Sequence, residues 1–188
     1  MDIASEQLIP APQAEVWRGL NDPEVLKACI PGCETIERID ATHYRIALTA
    51  RVGPVKAKFL GNLVLADLDP PTSYSLSFEG SGGAAGFGKG SAQVRLAAQG
   101  AATLLTYSVK ASVGGKFAQI GSRLIDSVAM KMADEFFATF KQTMSRQAAA
   151  APSAPAPRAR PRLAWLLAAA IVAAALLAYL LATFVFHS

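Results

Sequence analysis

The sequence predicts an α+β protein, an antiparallel sheet wrapped around one long C-terminal helix, with a transmembrane helix after it. Three patterns predict this. Several runs alternate apolar and polar with period two, an apolar stripe at helical spacing spans residues 117–140, and the last part of the chain holds 24 uncharged residues in a row.

The elements follow in order. After a first strand, Pro12 ahead of Glu15-Val16-Trp17-Arg18-Gly19-Leu20 marks a short helix with proline in its first turn. Asn21-Asp22-Pro23 ends it and opens a second short helix. Then come about six strands. Tyr44, Ile46, Leu48, Ala50 and Val52 face one way, while Arg45, Ala47, Thr49 and Arg51 face the other. Tyr74, Leu76 and Phe78 alternate with serines, Ala92, Val94 and Leu96 with Gln93 and Arg95, and Leu105, Tyr107, Val109, Ala111 and Val113 with Thr106, Ser108, Lys110 and Ser112. Such strands have one face buried and one wet. Val55, Ala57 and Phe59 keep the alternation, but the phase blurs at Gly61 ahead of Leu63-Val64-Leu65, which predicts a bulge or a strand covered on both faces. Past Gly114-Gly115, the spacing of Phe117, Ile120, Leu124, Val128, Met132, Phe136 and Phe140 predicts one long helix lying on the sheet.

This domain, residues 1–147, has ordinary composition. All 14 acidic residues precede Met144, while Arg146, Arg158, Arg160 and Arg162 follow it. Taking those four from the 18 basic residues leaves 14, so the first 145 residues carry no net charge. A nucleic-acid-binding domain, which needs a concentrated basic face, is disfavoured. The chain is 52% apolar, but without the final apolar stretch the remainder falls to about 46%, the range of ordinary globular proteins.

Residues 148–162 contain alanine, proline, serine and arginine with no large apolar side chain, the composition of a disordered or polyproline-like tether. Its length allows a reach of roughly 45 Å. Residues 163–186, with Thr183 the sole non-apolar member, reach about 36 Å as a helix, more than the ~30 Å hydrocarbon core. Arg158, Arg160 and Arg162 precede this span and only His187 and Ser188 follow it. The positive-inside rule then keeps the N-terminal domain on the cytoplasmic side of the inner membrane, behind a single C-terminal pass. Residues 1–6 lack the basic and apolar regions of a secretory signal.

Catalytic and metal chemistry find little support. The domain's one histidine, His43, stands opposite the apolar face of its strand, so no Ser-His-Asp or Cys-His arrangement can readily use it. Cys29 and Cys33 frame Ile30-Pro31-Gly32 without the further ligands a metal needs, and read as packed thiols. Gly83-Ala84-Ala85-Gly86-Phe87-Gly88-Lys89-Gly90 imitates a phosphate-binding loop. However, Ser91-Ala92-Gln93-Val94-Arg95-Leu96 after it alternates as a strand where a helix is required, so a glycine-rich hairpin is expected, a lid over a cavity with Phe87 as its apolar contact.

Together, Trp17, Asn21-Asp22-Pro23, Ile30-Pro31-Gly32-Cys33, Val52-Gly53-Pro54-Val55, Gly82-Gly83 with Gly86-Phe87 and Gly90, and Gly115-Lys116 with Ala118-Gln119-Ile120-Gly121-Ser122-Arg123 resemble the carbon monoxide dehydrogenase G subunit (CoxG) family. The resemblance covers about residues 2–144. It implies the START-like, helix-grip (SRPBCC) fold and a non-catalytic accessory of molybdenum hydroxylases of the carbon monoxide dehydrogenase type. The implied role is to attach that enzyme to the membrane and to bind a quinone, menaquinone or ubiquinone, for electron transfer.

A sheet wrapped around a helix leaves a gap along it, and the expected cavity face draws on Phe59, Phe78, Val94, Tyr107 and Val109 from the sheet. Phe117, Ile120, Leu124 and Val128 supply the helix side. Tyr107, Gln119 and Ser122 are the groups placed to hydrogen-bond a quinone carbonyl, and Lys116 and Arg123 the cations placed to meet the partner enzyme. Two alternatives stand beside this reading: a ligand-free membrane adaptor or assembly factor, and a small helix-grip enzyme.

Overall fold

The computed structural model describes residues 1–52 and 55–150. The expected membrane span at 163–186 and most of the tether lie outside the described residues, and no helix among those described is long and apolar enough to cross a membrane.

Strand β1 (Asp2–Ile9) leads into α1 (Gln13–Leu20) and α2 (Pro23–Cys29). In α2 the Asp22 carboxylate accepts from the Glu24 backbone N–H at 2.9 Å and Pro23 occupies the first turn, where a missing N–H costs nothing. The chain then meanders through β2 (Cys33–Arg38), β3 (His43–Val52), β4 (Val55–Asp69), β5 (Ser73–Ser81), β6 (Phe87–Gln99) and β7 (Ala102–Gly114). A short helix, α3 (Lys116–Gln119), precedes the long α4 (Ser122–Ala150). All seven strands form one antiparallel sheet in the order β1-β7-β6-β5-β4-β3-β2.

Two expectations need correcting. β4 keeps unbroken register through Gly61, which stands opposite Ile46 on one side and Gly80 on the other. The irregularity falls later, between Ala66 and Asp69, where Asp67 takes a φ of 51°. Gly61 marks no bulge but a close approach: a Cβ there would come within 2.6 Å of the Glu79 carbonyl oxygen. The helix expected from Phe117 onward is two helices. Gly121, at φ 102°, breaks the path between them, a conformation that glycine alone adopts without strain. At its far end α4 runs three residues past 147 into the alanines assigned to the tether, consistent with alanine's helix preference.

The core is unevenly filled along α4. Towards the helix C-terminus, Phe137, Phe140 and Met144 are buried with Val16 and Leu20 of α1, Val25 and Cys29 of α2, and Leu96 and Leu105 of the sheet. Phe140 is stacked with Phe136, and Trp17 meets Tyr74 edge to face. Polar clips close this half: the Gln13 amide donates to the Leu96 carbonyl at 2.9 Å, and the buried Thr103 hydroxyl to the Ala11 carbonyl at 2.7 Å. Towards its N-terminus, α4 faces the sheet with Ile125, Val128, Ala129 and Met132 and has no aromatic residue to fill the space.

Candidate functional site

That unfilled half is a cavity of about 400 Å³. Its sheet wall comes from Ile46, Leu48 and Ala50 of β3, Phe59, Gly61 and Leu63 of β4, Phe78 and Gly80 of β5, and Val113 of β7. Phe87 and Gly88 at the start of β6 and Ile30 beyond α2 border it, and α4 closes it with Ile125, Val128, Ala129 and Met132. It exists because small residues meet: Gly61 pairs with Gly80 in the sheet, Ala50 lies on the same face, and Ala129 answers them from the helix. The volume is in the range of small-molecule sites.

The surroundings are apolar. Asn62 and Glu79 border the cavity but alternate onto the outer face of the sheet, beside Ser77, Lys89, Ser91 and Ser112. There they line a second hollow of about 630 Å³ with Asp2, Val64 and Lys110, on the solvent side of the sheet.

Of the residues expected to form the cavity, the structure brings Phe59, Phe78, Phe87 and Val128 together around it. Val94 is buried in the filled half, directly opposite Tyr74 and Tyr107. Tyr107 stacks on Phe137 with ring centroids 5.0 Å apart; its hydroxyl is hydrogen-bonded to Ser5, and partial burial raises the phenol's pKa. Val109 pairs with Ile3 and Ala92 and does not line the cavity. Ile120 precedes the Gly121 break, outside the lining. Leu124 is 41% exposed, because the break resets the helical phase and Ile125 takes the inward position. The side chain of Phe117 lies outside the described residues. Gln119 and Ser122 are exposed, so none of the three groups expected to meet a carbonyl lines the cavity. Lys116 and Arg123 are exposed, at the same end of the domain as the cavity.

The apolar lining side chains missed from sequence are Met1, Ile30, Ile46, Leu48, Ala50, Leu63, Val113, Ile125, Ala129 and Met132. The β3 alternation already named three of them as one face. Gly121 inside a helical pattern was the signal for Ile125.

Among the described residues, no histidine or cysteine lines the cavity. His43 is exposed on the β2–β3 turn, where the Asp40 carboxylate (2.9 Å) and the Thr42 hydroxyl (3.1 Å) both approach its Nδ1. A catalytic triad needs its acid and its nucleophile on opposite ring nitrogens. Burial raises the pKa of both the Cys29 and Cys33 thiols, which opposes the thiolate that reactivity requires. The described residues hold no cluster of metal ligands. The glycine-rich segment is a hairpin connection with one short turn at Gly83–Ala85, and β6 follows it where a phosphate-binding loop would need a helix.

A model of the carbon monoxide dehydrogenase G subunit (CoxG) family matches residues 6–145. The chain belongs to the CoxG family. A conserved protein from Geobacillus kaustophilus, known from its crystal structure, is 31% identical to this CoxG-family chain over 78% of this chain and 97% of its own, with a TM-score of 0.73. A START superfamily protein of Mycobacterium smegmatis, 9% identical over 78% of this chain and 98% of its own at a TM-score of 0.60, shares the fold. So does a Streptomyces aromatase/cyclase, 14% identical over 79% of this chain and 95% of its own, TM-score 0.56. No curated protein matches the chain. The fold of this CoxG-family member is therefore START-like, with the long helix gripped by the sheet.

Proposed function

We propose that this CoxG-family chain is a non-catalytic accessory protein that holds a hydrophobic ligand, a quinone, between sheet and helix, and brings a molybdenum hydroxylase of the carbon monoxide dehydrogenase type to the membrane. The observation that carries the proposal is the apolar cavity of about 400 Å³ between the small residues of β4, β5 and α4. A flat ring and an isoprenoid tail gain from such a wall through burial alone. The lining suits those parts better than it suits the ring carbonyls, since it offers aliphatic and aromatic side chains.

The span at 163–186 and the arginines before it support anchoring from the cytoplasmic face. With residues 148–150 in α4, the remaining tether, residues 151–162, reaches roughly 37 Å and keeps the domain at high effective concentration beside quinone dissolved in the bilayer. The hydroxylase supplies two electrons, and quinone with two protons becomes quinol. The accessory protein's part is delivery of the acceptor. The family name supports the choice of partner, and among the described residues the lining pairs no acid with a base, which favours a binding role over an enzyme of this fold.

Organic extraction of the purified chain, read by absorbance and mass, tests the ligand. Quinone recovered with the protein is expected, and a chain that is empty and takes up no added quinone would leave only an adaptor. Retention of carbon monoxide dehydrogenase on the immobilised chain tests the partner.

A further inference from the structure

Two apolar side chains stand in solvent beside the cavity, which Phe87 also borders. Leu60 is 61% exposed and Phe87 50%. The register places them in one row on the outer face, Leu60 opposite Ser81 and Ser81 opposite Phe87. On the same face Lys58 lies two residues from Leu60 towards the β3–β4 connection, with Lys56 and Arg51 facing each other one step beyond it, and Lys89 lies two residues from Phe87 in the opposite direction. Lys116 and Arg123 add their charges from the start of the helical segment.

The carboxylates at this end are few. Glu34 holds Lys58 at 2.6 Å, Glu79 stands opposite Lys89, Asp2 lines the outer hollow with both Glu79 and Lys89, and Asp126 lies on α4. Acids gather at the other end of the strands instead: Asp22 and Glu24 at the start of α2, Asp40 in the β2–β3 turn, Asp67 and Asp69 at the end of β4. At the end beside the cavity the cations Arg51, Lys56, Lys58, Lys89, Lys116 and Arg123 outnumber the carboxylates Asp2, Glu34, Glu79 and Asp126.

We propose that this end docks onto an anionic lipid surface, with Leu60 and Phe87 entering the headgroup region and Lys56, Lys58, Lys89 and Arg123 meeting lipid phosphates. Apolar prongs among cations are the pattern of interfacial binding, in which buried apolar area and attraction to anionic lipid add. Charge complementarity selects this occupant over a second copy, because pairing two such faces opposes like charges. The proposal rests on the reading of the cavity as a hydrophobic-ligand site, since docking here lets a ligand pass from bilayer to cavity without crossing water.

The unit Met1–Ala150 suits the test, because the Geobacillus protein was solved as a chain that matches this unit along nearly its whole length. Residues 1–150 are sedimented with phosphatidylcholine vesicles with and without phosphatidylglycerol. Binding to the anionic vesicles alone, weakened by salt, is expected, and Leu60→Ser and the pair Lys56→Glu with Lys89→Glu each lower partitioning by about tenfold or more. Leu60 is exposed enough for its replacement to leave the fold intact, so the test does not depend on Phe87→Ser. Absence of anionic-vesicle binding, undiminished binding by Leu60→Ser, or a concentration-dependent dimer that Leu60→Ser abolishes would overturn the proposal. Uptake of menaquinone from detergent without vesicle binding overturns docking alone. Vesicle binding without uptake supports docking and overturns the cavity reading.

Discussion

The ring of Phe87 lies over Gly114, the residue directly opposite it in the ladder between β6 and β7. A Cβ at Gly114 would overlap that ring, so the missing side chain is what lets an aromatic lie flat at the edge of the cavity. Gly114→Ala must push the ring outward. The clash involves the far end of a rotatable side chain and no backbone, so the strand stays in place and stability falls by less than about 1.5 kcal/mol. Affinity for an apolar ligand is expected to fall severalfold. Fluorescence titration with a hydrophobic probe, set beside a thermal melt, separates the two effects. A large loss of stability would mean that the strand itself had moved.

The uneven filling of the core sets a ranking of substitutions along α4. Phe140 is fully buried in the aromatic half, and Phe140→Ala is expected to cost about 3–5 kcal/mol by removal of packed surface and the cavity left behind. Leu124, 41% exposed, is expected to tolerate alanine within about 0.5 kcal/mol. Urea denaturation of both variants checks the ranking, and a comparable cost at Leu124 would return it to the inward stripe.

Acid titration probes the β2–β3 turn. Backbone N–H groups of Thr42 and His43, at 2.8 and 2.9 Å, and the His43 ring hold the Asp40 carboxyl well below the usual carboxylate range. A carboxyl whose folded pKa is depressed contributes stability that is present above its unfolded value, near 3.9, and lost as pH falls towards the folded value. Asp40→Asn should therefore be less stable than the parent at neutral pH, with the gap narrowing below about pH 4. Paired denaturation curves over that window test this, and a gap independent of pH would remove the charge from the explanation.

Much of this fold is legible in the residues because alternation and helical spacing are local signals. The strand faces around Tyr44, Tyr74, Ala92 and Leu105, the proline-marked helices and the strand after the glycine-rich hairpin all follow from them. The cavity is less legible, since it depends on what is missing at matched positions. Gly61, Gly80, Ala50 and Ala129 are far apart in sequence, and only the register of β3, β4 and β5 and the phase of α4 bring them to one place. Large residues drew attention instead, and Val94 and Tyr107 proved to belong to the filled half. The break at Gly121 shifted the inward helix position from Leu124 to Ile125, a displacement that spacing counted from Phe117 cannot register.

Ala129 faces the cavity from α4, and its replacement by phenylalanine fills space without displacing core, so stability should change by less than about 1.5 kcal/mol. Titration of residues 1–150 with menaquinone, in wild-type and Ala129→Phe forms, is the most direct measurement of whether this cavity is the ligand site. Saturable binding by the wild type, weakened at least about tenfold in Ala129→Phe at an unchanged melting temperature, is the predicted result. Absence of binding by the wild type, or equal affinity in both forms, would contradict it.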